Sequence, residues 1–170
     1  MDARKNSSAV ETADREIVSI RVVAAPQDLV FKAFSDPEHL VHWWGPKGFT
    51  NTFHEFDMRP GGAWRFVMHG PDGADYPNRS VFIEVAQPER IVFDHISGHH
   101  FQMTITFAKQ DGKTRLTWRM LFDSVAECDK VKALVTDANE QNFDRLEAQL
   151  ARMAPPTRAE PQRASQPDQI

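Results

Sequence analysis

Seven histidines are the residues of this sequence that could bind a metal ion or transfer a proton near neutral pH. His95, His99 and His100 lie closest together, at the end of a predicted strand and in the turn after it. A zinc site would require a known ligand spacing, such as His-Glu-x-x-His, or several cysteines. The sequence has no such spacing and only one cysteine. Since histidines in turns are usually solvated, we predict neither a metal site nor a cofactor.

Acid–base catalysis would require polar side chains that face a common cavity. Glu84, Asp94 and Asp57 could in principle form an acid–base pair. The four candidates for polar groups that face inward are Glu84, Asp94, His95 and Arg119. In a regular strand Glu84 shares a face with Phe82, and either face of that strand could be the buried one. The sequence has no Gly-x-Ser-x-Gly turn, no phosphate-binding loop and no dinucleotide-binding fingerprint. We therefore predict no catalytic residue, and the sequence favours binding over catalysis.

The composition excludes several classes of partner. The 170 residues carry a formal net charge of −4 and the pI is about 6.0, so nothing attracts the chain to nucleic acid or to an anionic membrane. The single cysteine, Cys128, is typical of a reducing compartment. No segment reaches the roughly 20 apolar residues of a membrane-spanning helix, and residues 1–16 lack the apolar region of a secretion signal. We expect a cytoplasmic protein with no membrane span and no nucleic-acid partner.

One domain is predicted between two segments of different composition. Residues 1–16 are polar and charged, and residues 154–170 mix Pro, Gln, Arg and Ala with almost no apolar side chain. Such segments bury too little apolar surface to offset the entropy that is lost on ordering. We expect a flexible N-terminal segment over 1–16, a folded domain over 17–153 and a disordered tail over 154–170.

Alternation of apolar and polar residues predicts seven strands. They cover residues 17–24, 51–58, 62–69, 79–86, 90–96, 102–110 and 114–122. Two short helices are predicted after the first strand, beginning at Pro26 and at the capping signal of Asp36 and Pro37. A capping box at Ser124 and Glu127 begins a last helix that ends near Met153. At about 45 Å this helix is longer than the ~27 Å of an eight-residue strand, so it can cross the whole sheet.

The predicted core-facing side of the last helix contains small and amide residues where an apolar stripe would have larger side chains. Ala138, Asn139 and Asn142 stand between Val135 and Leu146. This stretch could border a cavity between helix and sheet, where an amide would orient a polar group of an apolar ligand. Alternatively, Ala138 lets the helix approach bulky residues of the sheet, and both asparagines face solvent.

Trp43 and Trp44 precede a Gly-Pro break and permit two interpretations. They could pack in the core and over the sheet edge, or they could form a gate at the mouth of the cavity. A ligand in such a cavity would contact these residues, inward-facing strand residues and the last helix. The predicted ligand-binding residues are Trp43, Trp44, Trp64, Phe66, Met68, Met103, Ile105, Trp118, Ala138, Asn142 and Leu146.

Five short blocks occur in the order and spacing of a known family. They are Phe34-Ser35-Asp36-Pro37, Trp43-Trp44-Gly45-Pro46, Asp57-Met58-Arg59-Pro60-Gly61-Gly62, Pro88-Glu89-Arg90-Ile91-Val92-Phe93 and Asp144-Arg145-Leu146. On these blocks the sequence resembles the activator-of-Hsp90-ATPase-like family of the START-like (SRPBCC) superfamily. The resemblance implies an α+β helix-grip fold. This fold has a curved antiparallel sheet of about seven strands, two short helices after the first strand, and a long C-terminal helix packed across the sheet.

The resemblance also implies three functions. The first, which we expect, is non-catalytic binding of a small, mainly hydrophobic molecule between the C-terminal helix and the sheet. The second is interaction with an Hsp90-type chaperone, although the chain resembles only the C-terminal domain of the eukaryotic co-chaperone. The third is an enzyme of the polyketide cyclase or aromatase type. Asp57 and Arg59, in the Asp-x-Arg-x-Gly-Gly block, are expected to form an ion pair that sets the turn. Many members have a Gly-Trp pair where this sequence has Ala138-Asn139, so the ligand of a relative does not transfer to this chain.

Overall fold

The computed structural model describes residues 13–154. In chain order the elements are β1 (Glu16–Val23), α1 (Gln27–Ser35), α2 (Pro37–Trp43), β2 (Thr50–Phe56), β3 (Ala63–His69), β4 (Asp75–Ala86), β5 (Arg90–His95), β6 (Phe101–Gln110), β7 (Lys113–Phe122) and α3 (Val125–Met153). Most of the predicted flexible N-terminal segment and nearly all of the predicted tail lie outside the described residues. Over residues 13–154, no helix combines the length and the hydrophobicity that crossing a bilayer would require.

The strands form one antiparallel sheet in the order β1-β7-β6-β5-β4-β3-β2. This sheet, the two short helices after β1 and the long last helix confirm the predicted α+β fold. The largest difference from the predicted strands is at β4, which begins at Asp75 rather than at Arg79. A proline usually marks a strand boundary. Here β4 continues through Pro77, which is paired in register with Val67.

The predicted capping residues begin the helices. Asp36 accepts a hydrogen bond from the backbone N–H of Glu38 at 3.0 Å, and Pro37 occupies the first turn of α2. Ser124 Oγ accepts a hydrogen bond from the backbone N–H of Glu127 at 3.1 Å. Each cap satisfies a backbone donor that has no partner within its helix, so the start of α2 and of α3 is set by short-range sequence.

The long helix α3 covers the inner face of the sheet, and α1 and α2 fill one end of the space beneath it. At this end Gln149 on α3 lies 3.1 Å from His39 on α2, measured between Nε2 and Nδ1. Apolar side chains of all three helices and of the sheet form the packed core here. Its members include Phe31, Phe34, Leu40, Trp43, Phe107 and Leu146. This space between α3 and the sheet is called the groove below. No residue of α1 or α2 lines its opposite end.

A bulge in β4 changes which of its side chains face inward. The register between β4 and β5 shifts between Phe82 and Glu84, so Ile83 is an extra residue in the pairing. Phe82 is buried, whereas Glu84 accepts hydrogen bonds from Arg90 at 3.0 and 3.1 Å on an exposed surface. The expectation that Glu84 shares the face of Phe82 is therefore wrong, because alternation does not continue through a bulge.

The turn between β2 and β3 is bonded to β4. Asp57 and Arg59 form the expected ion pair, with 2.9 Å between Oδ2 and Nε. Gly61 donates its N–H to the carbonyl oxygen of Phe82, and the N–H of Phe82 donates to the carbonyl oxygen of Gly62. A Cβ atom at Gly62 would overlap the carbonyl oxygen of Asp57. Gly62 is therefore required by space, not by its backbone angles.

Replacing Gly62 by alanine is expected to lower the free energy of unfolding by about 3 kcal/mol, the upper end of the usual cost of overpacking. The new methyl group would push Gly62 away from the Asp57 carbonyl, although the pairing of β2 with β3 and the bond from the Asp57 N–H to the Ala63 carbonyl hold these segments together. Urea unfolding followed by tryptophan fluorescence measures the change. Gly61→Ala is the matched control. A Cβ there meets no atom within 4 Å, and its φ of +86° should cost about 1 kcal/mol. Equal losses in the two variants would contradict the spatial argument.

Candidate functional site

A cavity of about 390 Å³ lies between α3 and the inner face of the sheet, at the end that α1 and α2 leave uncovered. The sheet provides its floor, α3 provides its cover, and Trp44, Gly45 and Pro46 form part of its rim. The turn between β5 and β6 forms another part of the rim through Ser97, Gly98 and His99. Within residues 13–154, no lysine, arginine, aspartate or glutamate lines this cavity.

Cross-strand pairing arranges the floor in rows of neighbouring side chains. One row runs from β3 to β7 and consists of Trp64, Ser80, His95, Phe101 and Phe122. The next row consists of Phe93, Met103 and Met120. The two polar members of these rows, Ser80 and His95, are therefore side by side among phenylalanine, tryptophan and methionine side chains.

Two asparagines of α3 face the cavity and also attach the helix to its surroundings. Asn139 Nδ2 donates to Ser19 Oγ at 3.1 Å, and Asn142 Oδ1 accepts from the N–H of Gly45 at 3.2 Å. Both side chains are buried, with 7% and 6% of their surface exposed. The alternative in which they face solvent is therefore wrong. Between them and the start of α3, the cover of the cavity consists of Val131, Val135 and Ala138.

The structure brings most, but not all, of the predicted ligand-binding residues to this cavity. Those that line it are Trp44, Trp64, Phe66, Met68, Met103, Trp118, Ala138 and Asn142. Trp43, Ile105 and Leu146 do not line it. They are fully buried in the packed core, where Trp43 Nε1 donates to the carbonyl oxygen of Ala33 at 3.0 Å. Trp43 therefore lies in the core and Trp44 at the cavity. Because α2 ends at Trp43 and the backbone of Trp44 is extended, the two side chains point in different directions.

Arg145 holds the segment that carries Trp44. Its guanidinium donates to the carbonyl oxygens of His42, Gly45 and Pro46 at 2.9 to 3.0 Å. The carbonyl of His42 belongs to the last turn of α2, where backbone acceptors lack partners within the helix. Burial lowers the pKa of Arg145, but the guanidinium remains charged at any ordinary pH. One side chain of α3 therefore fixes both the end of α2 and the rim of the cavity.

His95 lies between two oxygen atoms. Nδ1 lies 2.9 Å from the carbonyl oxygen of His99, and Nε2 lies 2.7 Å from Oδ1 of Asn78. The ring also stacks on Phe101, with centroids 4.6 Å apart. Burial, together with the nearby charges of His100 and His99, lowers the pKa of His95. Because both oxygens can only accept, the neutral ring, which has a single N–H, donates to one of them.

The remaining candidates for acid–base chemistry lie away from the cavity. Glu84 pairs with Arg90, and Arg119 lies 3.4 Å from Glu16. Asp94 lies 3.6 Å from His100 and is not part of the lining. Of the four candidates, only His95 lines the cavity. Among residues 13–154, no cluster of three or more His, Cys, Asp or Glu side chains could hold a metal ion.

Three buried polar atoms in the lining have no hydrogen-bond partner within the described part of the chain. They are Nε1 of Trp64, Oγ of Ser80 and Nε1 of Trp118. A buried polar group without a partner costs about 1–3 kcal/mol, and such groups are rare in proteins. Three of them around one cavity make this the most unusual polar environment among the described residues.

The model of the family described as activator of Hsp90 ATPase homolog 1-like protein matches residues 24–151. The chain belongs to this family. All five sequence blocks that suggested it fall within the match, and two of them meet in space where Arg145 binds the segment after Trp43.

Solved bacterial structures share the fold of this family member. One from Nitrosomonas europaea is 22% identical, with a TM-score of 0.77 over 84% of this chain and 97% of the other. One from Chromobacterium violaceum is 26% identical, with a TM-score of 0.70 over 78% and 95% of the two chains. A protein from Silicibacter pomeroyi, described as AHSA1, is 21% identical, with a TM-score of 0.70 over 82% and 99%. No protein of curated function matches the chain.

Sequence reasoning missed the polar part of the cavity. Asn78 lies outside the predicted strand, which begins at Arg79, and the sequence does not assign Ser80 to the inner face. The sequence pattern for this part of β4 is weak, because two of its inward residues, Asn78 and Ser80, are polar and only Phe82 is apolar. Arg145 was recognised as part of a family block, but its contacts connect residues about one hundred positions apart and have no local pattern.

Arg145→Lys is expected to lower the free energy of unfolding by about 1–3 kcal/mol, although the charge is kept. A lysine ammonium is a compact donor on a flexible chain and cannot reproduce the planar fork that reaches three carbonyl oxygens. Urea unfolding measures the loss. The matched control is Arg59→Lys, since Arg59 is exposed and pairs only with Asp57 in its own turn. Equal stability of Arg145→Lys and the unmodified protein would show that charge alone suffices.

His95→Gln is expected to reduce the loss of stability in acid. The pKa of His95 is lower in the folded protein than in the unfolded chain, so the unfolded chain binds the proton first. The unmodified protein should therefore lose stability as the pH falls below about 6.5, the ordinary histidine pKa, toward the folded value. Urea unfolding between pH 7.5 and 5.5 measures the slope. The matched control is His54→Gln, at an exposed position of β2. Identical slopes for His95→Gln and the unmodified protein would refute this.

Proposed function

We propose that the protein binds one small, mainly hydrophobic molecule in the cavity between α3 and the sheet, without catalysing a reaction on it. The observation that carries the proposal is the cavity itself, with about 390 Å³ of space and mainly apolar walls. Pockets for small molecules usually measure about 300–1,000 Å³ and are lined by hydrophobic and aromatic side chains. This cavity lies within that range.

The walls favour a ligand with flat, polarisable surfaces. Trp44 contacts both Trp64 and Trp118, with its ring centroid 5.2 Å from that of Trp64 and 5.4 Å from that of Trp118. Aromatic side chains prefer stacked or edge-to-face partners, which contribute about 0.5–1.5 kcal/mol beyond the burial of area. An aromatic or polycyclic molecule would use these faces better than a flexible alkyl chain.

The position of the cavity supports binding over structural packing. Protein interiors are close-packed, and the end of the groove occupied by α1 and α2 follows that rule. At the other end, α3 presents Ala138 where a larger side chain would fill the space. The rim at Trp44 is held by Arg145 and Asn142, so the opening is pre-formed and binding requires little ordering of the chain.

The two alternatives have less support. Interaction with an Hsp90-type chaperone rests on the description of the family alone. A cyclase or aromatase would need several polar groups around the ligand, and of the four sequence candidates only His95 is placed there. Each ring nitrogen of His95 lies within 3 Å of a protein oxygen, Oδ1 of Asn78 or the carbonyl of His99, so neither nitrogen is directed at a ligand in the cavity.

N-phenyl-1-naphthylamine, an uncharged dye that fluoresces in apolar surroundings, tests the proposal. Titration of the purified protein is expected to give saturable fluorescence with one site per chain. Ala138→Phe places a ring in the cavity from the helix side and should weaken dye binding at least tenfold. Ala133→Phe, on the exposed side of α3, is the matched control and should bind the dye as the unmodified protein does. Circular dichroism verifies that both variants are folded. Equal binding by the two variants would contradict a site in this cavity, and no saturable binding would contradict the proposal.

A further inference from the structure

We infer that the ligand carries an uncharged oxygen atom that accepts hydrogen bonds, and that Ser80 and Trp64 hold this oxygen inside the cavity. The inference rests on the proposed function and goes further, because it names the chemical class of the ligand and the residues that recognise it.

The pairing of β3 with β4 places the two recognising groups together. Trp64 and Ser80 are directly opposite in the register, and both line the cavity. Side chains directly opposite in an antiparallel pair have Cβ atoms about 4.5–5.5 Å apart. Their indole N–H and hydroxyl are both buried, out of reach of a water-sized probe, and without a partner among residues 13–154. Either donor reaches a ligand once its side chain turns slightly toward the cavity. One oxygen atom could accept from both, since each oxygen has two acceptor sites.

The polar side chains next to Ser80 on the cavity floor, Asn78 and His95, are already engaged with other groups of the protein. Asn78 Nδ2 donates to the carbonyl oxygen of Tyr76 at 2.9 Å, and its Oδ1 lies 2.7 Å from His95 Nε2. His95 Nδ1 lies 2.9 Å from the carbonyl oxygen of His99. These bonds fix the polar end of the cavity. Trp118 supplies one further unpartnered indole N–H, on β7, for a second acceptor atom of the ligand.

The electrostatics of the lining select an uncharged group. An indole N–H or a hydroxyl could also donate to a carboxylate, but no lysine or arginine of the described residues lines the cavity. Burying an ionised group without a partner of opposite charge is strongly unfavourable. Burial also disfavours the charged form of His95, which lies beside Ser80 on the floor, so this side chain is a poor partner for an anion. A hydroxyl or a carbonyl oxygen meets these requirements, whereas a carboxylate does not.

Displacement of bound N-phenyl-1-naphthylamine by three probes of similar shape tests the inference. The probes are naphthalene, 2-naphthol and 2-naphthoate. The measured quantity is the Kd of naphthalene divided by the Kd of 2-naphthol. This ratio is expected to fall about threefold to tenfold in Ser80→Ala, the range of one net hydrogen bond. Using a ratio cancels any effect of the substitution on the apolar part of the cavity. Thr104→Ala removes a hydroxyl from the opposite face of β6 and is expected to leave the ratio unchanged.

The possible results distinguish failure of this inference from failure of the proposed function. A lower ratio in Ser80→Ala, with a similar decrease in Trp64→Phe, supports the inference. An unchanged ratio in a folded Ser80→Ala protein that still binds both probes overturns it and leaves the proposed function intact. Binding of 2-naphthoate as tight as that of 2-naphthol overturns the uncharged character of the ligand. Failure of every probe and of the dye to bind overturns the proposed function, and the inference with it.

Discussion

The carbonyl oxygens at the end of α2 and in the turn after it depend on one cation, Arg145. Helix ends leave backbone acceptors without partners, and this one is followed by Gly45 and Pro46, which prevent the helix from continuing. A guanidinium can bond several acceptors at once because its donors form a rigid planar fork. Through these bonds α3 holds the end of α2 in place. Trp43 of this segment lies in the packed core, and Trp44 lies at the rim of the cavity.

This arrangement divides the groove beneath α3 into two parts with different physical character. One part follows the normal rule of a close-packed interior, with Phe34, Trp43 and Phe107 in edge-to-face contact. The other part has aromatic walls, small residues on the helix and polar atoms without partners. The two parts share one buried core, so the cavity differs from the packed end in its empty space and its polar atoms and not in the burial of its apolar walls.

Local sequence signals were sufficient for the elements of this fold. The strands follow from alternation, and the starts of α2 and α3 follow from Asp36 and Ser124, because caps act over three or four residues. The bulge at Ile83 could not be predicted, since one extra residue leaves the composition of β4 unchanged and only the partner strand reveals it. The same insertion explains why Glu84 was assigned to the wrong face. Trp64 and Ser80 belong to different strands, so their proximity is a property of register and cannot be found from either strand alone.

The position of β1 has a consequence for the order in which the protein can fold. The first strand lies at one edge of the sheet and pairs with β7, the last strand, from Glu16 opposite Leu121 to Val23 opposite Thr114. Arg21 then bonds to Glu140 and Asp144 of α3. During synthesis β1 leaves the ribosome early but has no partner strand until β7 has also emerged, and contacts of such long sequence separation form slowly. Until then the apolar residues of β1 remain unpaired and exposed. This strand is therefore a part of the nascent chain that is open to aggregation until β7 is available.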